Sequence, residues 1–354
     1  LRCLPFECDI QFEGGEEKRI EKNCMLFKMA STDSGTDKAF LLCVLDAQRR
    51  VLHLTNAHVS SVYDELHKWE ERCAQPWFKC GFRNITRVFV QDIRGNVDPL
   101  RIMIANGSLG SLLYLSVAGN NIGDAGVTAL AGAIASPFLC SLVELQLGSN
   151  KIGDAGTTAL SGAIASGSLR NLDILGLGDN RIGDAGMSAL VRAIDSGSLG
   201  TLKELCLFSN QIGDAGVSAL AGAIASGSLR ALTYLALSFN QIGDPGMTEL
   251  ARAIASGLLS NLEELSLMKN DIGDDGIKAF AKGLAGWSLG ALRDLNLWQN
   301  NIGDDGMKAF AEAIAGGTLP ALRHVLMFDN PGSNAPVEET LAQRVNEAPA
   351  QRKA

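Results

Sequence analysis

Long apolar runs are missing from this chain. No stretch approaches the ~18 residues that a membrane-crossing helix needs, so no transmembrane segment is expected. Aromatic residues are scarce at 6 %. Leu, Ala and Ile make up most of the apolar inventory, a mixture that suits thin repeated layers better than one large globular centre. Surplus positive charge is missing as well. The first hundred residues hold 14 Lys and Arg against 15 Asp and Glu, and the remainder 17 against 24, for a net charge of −8. Nucleic acid is therefore excluded as an expected partner, because its binders carry a basic footprint.

Catalytic and metal-binding vocabulary is equally thin. Histidine occurs four times, at His53, His58, His67 and His324, and no P-loop, HExxH or GxSxG is present. The eight cysteines form no CxxC pair, and six of them (Cys3, Cys8, Cys24, Cys43, Cys73, Cys80) fall in the first 80 residues. They read as unpaired thiols of a reducing, cytoplasmic compartment rather than as zinc ligands. No catalytic residue, metal or cofactor is expected. The chain begins at Leu1 rather than Met, which leaves a preceding targeting segment open.

What the chain does contain is a period of thirty. Asn120, Asn150, Asn180, Asn210, Asn240, Asn270, Asn300 and Asn330 fall in one register, each preceded by a version of LxxLxLxx. In the second copy the frame is Leu142, Leu145, Leu147 and Asn150, followed by Ile152, Gly153, Asp154 and Gly156. The alternation in "LQL" has the period of a short strand. Behind it runs a helical stripe, Val127, Leu130, Ala131 and Ile134 in the first copy, until "ASGS" or a relative stops the helix. No such unit can bury its own apolar face, so the units must stack side by side.

Eight matches to LxxLxLxxN resemble the ribonuclease-inhibitor-like class of leucine-rich repeats, with conservative departures at Val117, Val325 and Met327. That resemblance implies an α/β solenoid, a horseshoe with parallel strands inside its curve and helices outside. The expected division is a small α+β domain over residues 1–82, a solenoid with a capping helix over 83–346, and a flexible tail over 347–354. Ile85, Val88 and Val90 mark a shortened first repeat that lacks the Asn and the IGD. At the far end Pro336 sits at a plausible first helical position, ahead of the apolar stripe Val337, Leu341 and Val345.

The recurring IGD invites a functional reading, in which Asp124, Asp154, Asp184, Asp214, Asp244, Asp274 and Asp304 bind calcium. However, "NDIGDDGIKAF" lacks the alternating oxygen ligands and the closing Glu of a calcium loop. An Asp beside a helix start accepts bonds from unpaired backbone N–H groups instead. The Asn column reads the same way, as an amide that satisfies backbone groups in a turn.

Against that frame, three strand positions per repeat are free to vary. The first column reads Tyr114, Glu144, Ile174, Glu204, Tyr234, Glu264, Asp294, His324. The second reads Ser116, Gln146, Gly176, Cys206, Ala236, Ser266, Asn296, Leu326. The third reads Ala118, Gly148, Gly178, Phe208, Ser238, Met268, Trp298, Phe328. Neighbouring strands lie about 4.8 Å apart, so Glu264 and Asp294 face each other as like charges. Met268, Trp298 and Phe328 form an apolar row rimmed by acids, on a face with no helix over it. The candidate partner-binding residues are Glu204, Phe208, Tyr234, Glu264, Met268, Asp294, Trp298, His324 and Phe328. Cys206 has no His in register and is no nucleophile, and His324 with Asp294 reads as a plain polar contact.

Upstream, "FECDIQF", "RIEKNCMLFKM", "KAFLLCVLD" and "RRVLHL" read as strands, with a hairpin at residues 46–49. A helix is expected from Asn56, with Val59, Val62, Tyr63, Leu66, Trp69 and Cys73 on one face and Pro76 at its end. This segment loosely resembles the last part of a pleckstrin-homology-like domain, which would put Lys18, Arg19, Lys22 and Lys28 near anionic lipid. A small α+β domain shielding the first repeat is the preferred reading.

The function expected is a non-enzymatic interaction module that docks a protein partner in the hollow of the arc. Two alternatives follow from resemblance. Similar repeats occur in the GTPase-activating protein for Ran, although the tail "EAPAQRKA" lacks that family's acidic run. They occur also in the sensor region of nucleotide-binding immune receptors, although no nucleotide-binding domain accompanies them here.

Overall fold

The computed structural model describes residues 85–351 apart from 92, 94–96, 106, 108 and 285–288, together with the backbone of five short strands between residues 8 and 57. β1 (Cys8–Gln11) and β2 (Glu17–Ile20) pair antiparallel. β3 (Cys24–Lys28), β4 (Phe40–Asp46) and β5 (Val51–Ala57) pair in antiparallel succession. The segment "RIEKNCMLFKM", expected as one strand, contributes to both β2 and β3, and residues 21–23 lie outside those described. Asp46 pairs with Val51, the register a hairpin sets, while residues 47–50 lie outside those described. So does the helix expected from Asn56, except that Asn56 and Ala57 belong to β5.

β5 joins β6 (Arg87–Gln91) in parallel, and from β6 onward every pairing is parallel. The strands follow in chain order: β7 (Tyr114–Ser116), β8 (Glu144–Gln146), β9 (Ile174–Gly176), β10 (Glu204–Cys206), β11 (Tyr234–Ala236), β12 (Glu264–Ser266), β13 (Asp294–Asn296) and β14 (His324–Leu326). Helices alternate with them: α1 (Asp98–Ala105), α2 (Gly123–Ile134), α3 (Asp154–Ala165), α4 (Asp184–Ala193), α5 (Asp214–Ala225), α6 (Asp244–Ile254), α7 (Asp274–Gly283), α8 (Asp304–Ala315) and the terminal α9 (Ala335–Gln351). α9 runs into the residues expected to form a tail, continuing through Pro349 to Gln351.

The nine parallel strands from β6 and their helices make an open solenoid. Each helix packs on the next one. Packed helices stand 8–10 Å apart and paired strands only 4.7–4.9 Å. Each repeat is therefore a wedge, and the stack curves with its strands inside. Leu145, Leu147, Ile152, Leu160 and Ile164 fill the layer between strand and helix with no exposed surface.

Two ladders hold one wedge to the next. Asn180 donates through Nδ2 to the carbonyls of Leu147 (3.1 Å), Leu177 (2.9 Å) and Gly178 (3.2 Å), while its Oδ1 accepts from the backbone N–H of Asn150 and Ile152 (3.0 Å each). One amide thus closes its own turn and ties it to the preceding repeat. The same arrangement recurs along the register, and Asn120 extends it to the shortened first repeat by donating to the Val90 carbonyl (2.7 Å).

The aspartates work differently from the expected cap. Gly153, not Asp154, precedes α3, and no side chain of the same repeat caps it. The carboxylate reaches forward instead: Asp124 Oδ1 accepts from Gly153 N (2.6 Å) and Gly156 N (3.0 Å) at the start of the following repeat's helix. Asp154, Asp184, Asp214, Asp244 and Asp274 repeat both bonds one unit on, and Asp304 accepts from Ser333 N (2.8 Å) before the terminal helix. Each acid sits at the positive end of its neighbour's helix. The second glycine of IGDxG is explained by the same contact, since a Cβ at Gly186 would lie 2.6 Å from Asp154 Oδ1.

Candidate functional site

The strand residues that alternate with the buried leucines face away from the helices and line the hollow. Register is one to one: Glu204 opposes Tyr234, Tyr234 opposes Glu264, Glu264 opposes Asp294, and Asp294 opposes His324. The first column is thus an acidic row broken by Ile174 and Tyr234. Burial first, then the Asp294 and Glu204 charges, raises the Glu264 pKa above the usual carboxylate value. The contribution of those two charges is the like-charge cost inherent in the register. His324 relieves it at one end through Nδ1 against Asp294 Oδ1. Gln146 Nε2 donates to Glu144 Oε1 (3.0 Å) at the other. Between them, among the described residues, the Glu204 and Glu264 carboxylates accept no hydrogen bond.

The second column is small: Gly176, Cys206, Ala236, Ser266 and Asn296 form a trough floor beside the acids. Burial, followed by the Glu204, Glu144 and Glu264 charges, pushes the Cys206 thiol up to about 11. At pH 8 only about one molecule in a thousand then carries the thiolate. Iodoacetamide at pH 8, followed by peptide mapping, should therefore alkylate the exposed Cys140 well before Cys206. Equal rates would contradict the burial and charge described here.

The third column forms the apolar wall. Phe208 is 42 % exposed and its ring lies on Gly178, where any Cβ would collide with it. Met268 and Trp298 are half-buried, and Phe328 is 53 % exposed. Trp298 is held by its indole Nε1, which donates to Asp329 Oδ2 (2.8 Å). All nine residues singled out by sequence therefore share one sheet face, from β10 to just beyond β14.

A further set escapes the three columns. The residue directly before each ladder Asn takes the left-handed conformation, with φ of 52–56° at Asp179, Ser209, Phe239, Lys269, Gln299 and Asp329. Its side chain swings to the lip of the face. Phe239 is 39 % exposed there with the Lys269 ammonium 5.0 Å from its ring centre, and Asp329 anchors Trp298. The only sequence signal was position in the frame, next to the Asn. On the opposite lip, Lys203 pairs with Asp173 (2.8 Å) and Arg293 with Glu263 (2.9 Å), both between neighbouring repeats. Among the described residues no three His, Cys, Asp or Glu side chains are placed to hold a metal ion, and no helix is long and apolar enough to cross a membrane.

Strand, turn and helix, repeated in register with one sheet face left open, define a solenoid of the leucine-rich-repeat kind. Residues 111–311 carry leucine-rich repeats: the Leucine Rich repeat family model matches seven segments, residues 111–131, 138–161, 168–191, 201–221, 229–251, 259–281 and 292–311. No curated protein matches the sequence. Among solved structures, an internalin (inlF) from Listeria monocytogenes is 21 % identical, with 71 % of this chain and 69 % of that one covered, at a TM-score of 0.40. The TLR13–ssRNA13 complex is 17 % identical over 72 % of this chain and 34 % of that one (TM-score 0.40). A plant ice-binding protein is 18 % identical over 64 % and 60 % (TM-score 0.36).

Proposed function

We propose that this protein is a non-enzymatic binding module whose open sheet face docks a protein partner, chiefly through β10 to β14. The observation that carries the reading is the exposure of Phe208 and of Phe328, the latter one strand from half-buried Trp298, on a face that no helix covers among the described residues. Large apolar side chains left in water on an otherwise polar rim mark interaction sites. Glu204, Tyr234, Glu264, Met268, Asp294 and His324 complete the contact surface. Helices of ten to twelve residues in the seven full repeats from α2 to α8 support placement in the ribonuclease-inhibitor-like class. Free thiols at Cys140 and Cys206 support a reducing, cytoplasmic setting. The reading keeps residues 1–82 as a small N-terminal domain ahead of the solenoid of 83–346, with β5 continuing the repeat sheet beside β6.

Affinity capture from native extract tests it, run beside the double variant Trp298→Ala, Phe328→Ala. A partner retained by the wild-type chain should bind the variant more than tenfold more weakly, because truncation of a central aromatic anchor costs that much. The helical circular dichroism should be unchanged, since both side chains lie outside the core. Equal capture by the two proteins would remove the site.

A further inference from the structure

The face has two walls of different chemistry. Glu144, Glu204, Glu264 and Asp294 stand on one side, Phe208, Met268, Trp298 and Phe328 on the other, with the small second column between them. From β7 to β14 these three columns contain no Lys or Arg at all. The carboxylates of Glu204 and Glu264, which flank Tyr234, accept no hydrogen bond among the described residues. A partner that lies here must supply the missing positive charge, and must also offer apolar groups on its other side.

Resting on the docking reading above, we propose that the partner presents an extended basic segment of polyproline-II form, with Lys or Arg at every third position, laid across the strands in the trough between Glu204 and Phe208. The spacing points to that conformation. Glu144, Glu204 and Glu264 stand on alternate strands, so their backbones are about 9.6 Å apart at ~4.8 Å per strand. Side chains on one edge of a polyproline-II helix recur every three residues, about 9.3 Å at 3.1 Å per residue. Because the strands lie on the inside of the curve, side-chain tips converge slightly, which brings the two repeats closer still. A β-extended segment repeats on one face every ~6.7 Å and falls out of step after the first contact. In the polyproline form, cations meet Glu204 and Glu264 on either side of the Tyr234 ring. The intervening prolines or aliphatics meet the apolar wall, and arginine stems can lie against aromatic faces.

Fluorescence anisotropy with labelled synthetic peptides on the full chain tests this. The probe is a ten-residue peptide with arginine at positions 1, 4, 7 and 10 and proline and leucine between. It is compared with the same composition rearranged so that the arginines alternate with other residues, and with an alanine-rich helical peptide whose arginines are seven apart. The three-residue spacing should bind at least tenfold more tightly than either, and should weaken with added salt, as screening demands. Glu204→Gln with Glu264→Gln should lower its affinity about fivefold, two exposed ion pairs' worth. Both glutamates are isosterically replaced outside the core, so unchanged circular dichroism separates binding loss from misfolding. Equal affinity for all three spacings, preference for the alternating or helical peptide, or indifference to the double variant overturns the proposal. Should a native partner still be captured, and lost on Trp298→Ala with Phe328→Ala, the docking reading stands while this inference falls.

Discussion

Asn180→Ala should destabilise the protein by about 3–5 kcal/mol, the largest single effect expected from any side chain that touches no partner. The side chain is buried and makes five hydrogen bonds to backbone groups of two repeats. Truncation leaves the buried Asn150 and Ile152 N–H groups unpaired, at roughly 1–3 kcal/mol each before relaxation, and weakens three carbonyls that keep one other donor each, from Asn150 Nδ2, Asn210 Nδ2 and Ser149 N. Volume alone would predict much less. Asn180→Asp separates the two accounts, because it keeps the shape and the acceptor but turns a carboxylate oxygen toward three carbonyl oxygens. Near neutral pH it should be as damaging as the alanine variant. Its folded-state pKa must then lie above the unfolded value, so the charge penalty grows as pH rises past ~4 and vanishes below it. Urea unfolding of both variants across pH 3.5 to 7.5 measures this. An aspartate variant as stable as wild type at pH 7 would show that the donor contacts carry no weight.

Such ladders explain why so much of this protein is legible in its sequence. A period of thirty fixes the strand order, because each unit can pair only with its neighbours. Every strand residue from Tyr114 to Leu326 falls opposite the residue thirty positions along. The candidate face was legible for the same reason: alternation tells which strand residues oppose the leucines. What hid from the sequence was contact between units. Asp154 looks like a cap for the helix it adjoins, and nothing local says that its carboxylate crosses to Gly183 and Gly186. Phe239 precedes an Asn in what reads as a turn, and only the left-handed backbone there sends it to the lip. The upstream strands carry no period at all, so the pairing of β5 with β6, which extends the repeat sheet beyond the repeats, had no signature to betray it.

The forward reach of the aspartates gives the second large effect, and a stricter test. Asp184 Oδ1 accepts from Gly213 N (2.7 Å) and Gly216 N (2.9 Å) at the start of α5. Asp184→Ala should therefore cost about 2 kcal/mol, the upper range of a lost helix cap, because two donors lose a charged acceptor together. Gly216→Ala is the more informative change. Alanine is favoured over glycine within a helix by about 1 kcal/mol, so an isolated helix would gain. Here the added Cβ falls 2.7 Å from the Asp184 carboxylate and 2.9 Å from Ile212 Cγ2, and the substitution should instead destabilise by about 2 kcal/mol as the carboxylate is displaced. The two changes remove the same interaction from opposite sides. In the double variant the second should cost about 1–2 kcal/mol less than alone, a coupling available only to residues in contact. The pair is 32 positions apart in sequence, so the coupling can arise only across the junction between repeats. Strict additivity in urea titrations of the four proteins would mean that the carboxylate does not bridge the two units, and the glycine would then need another cause.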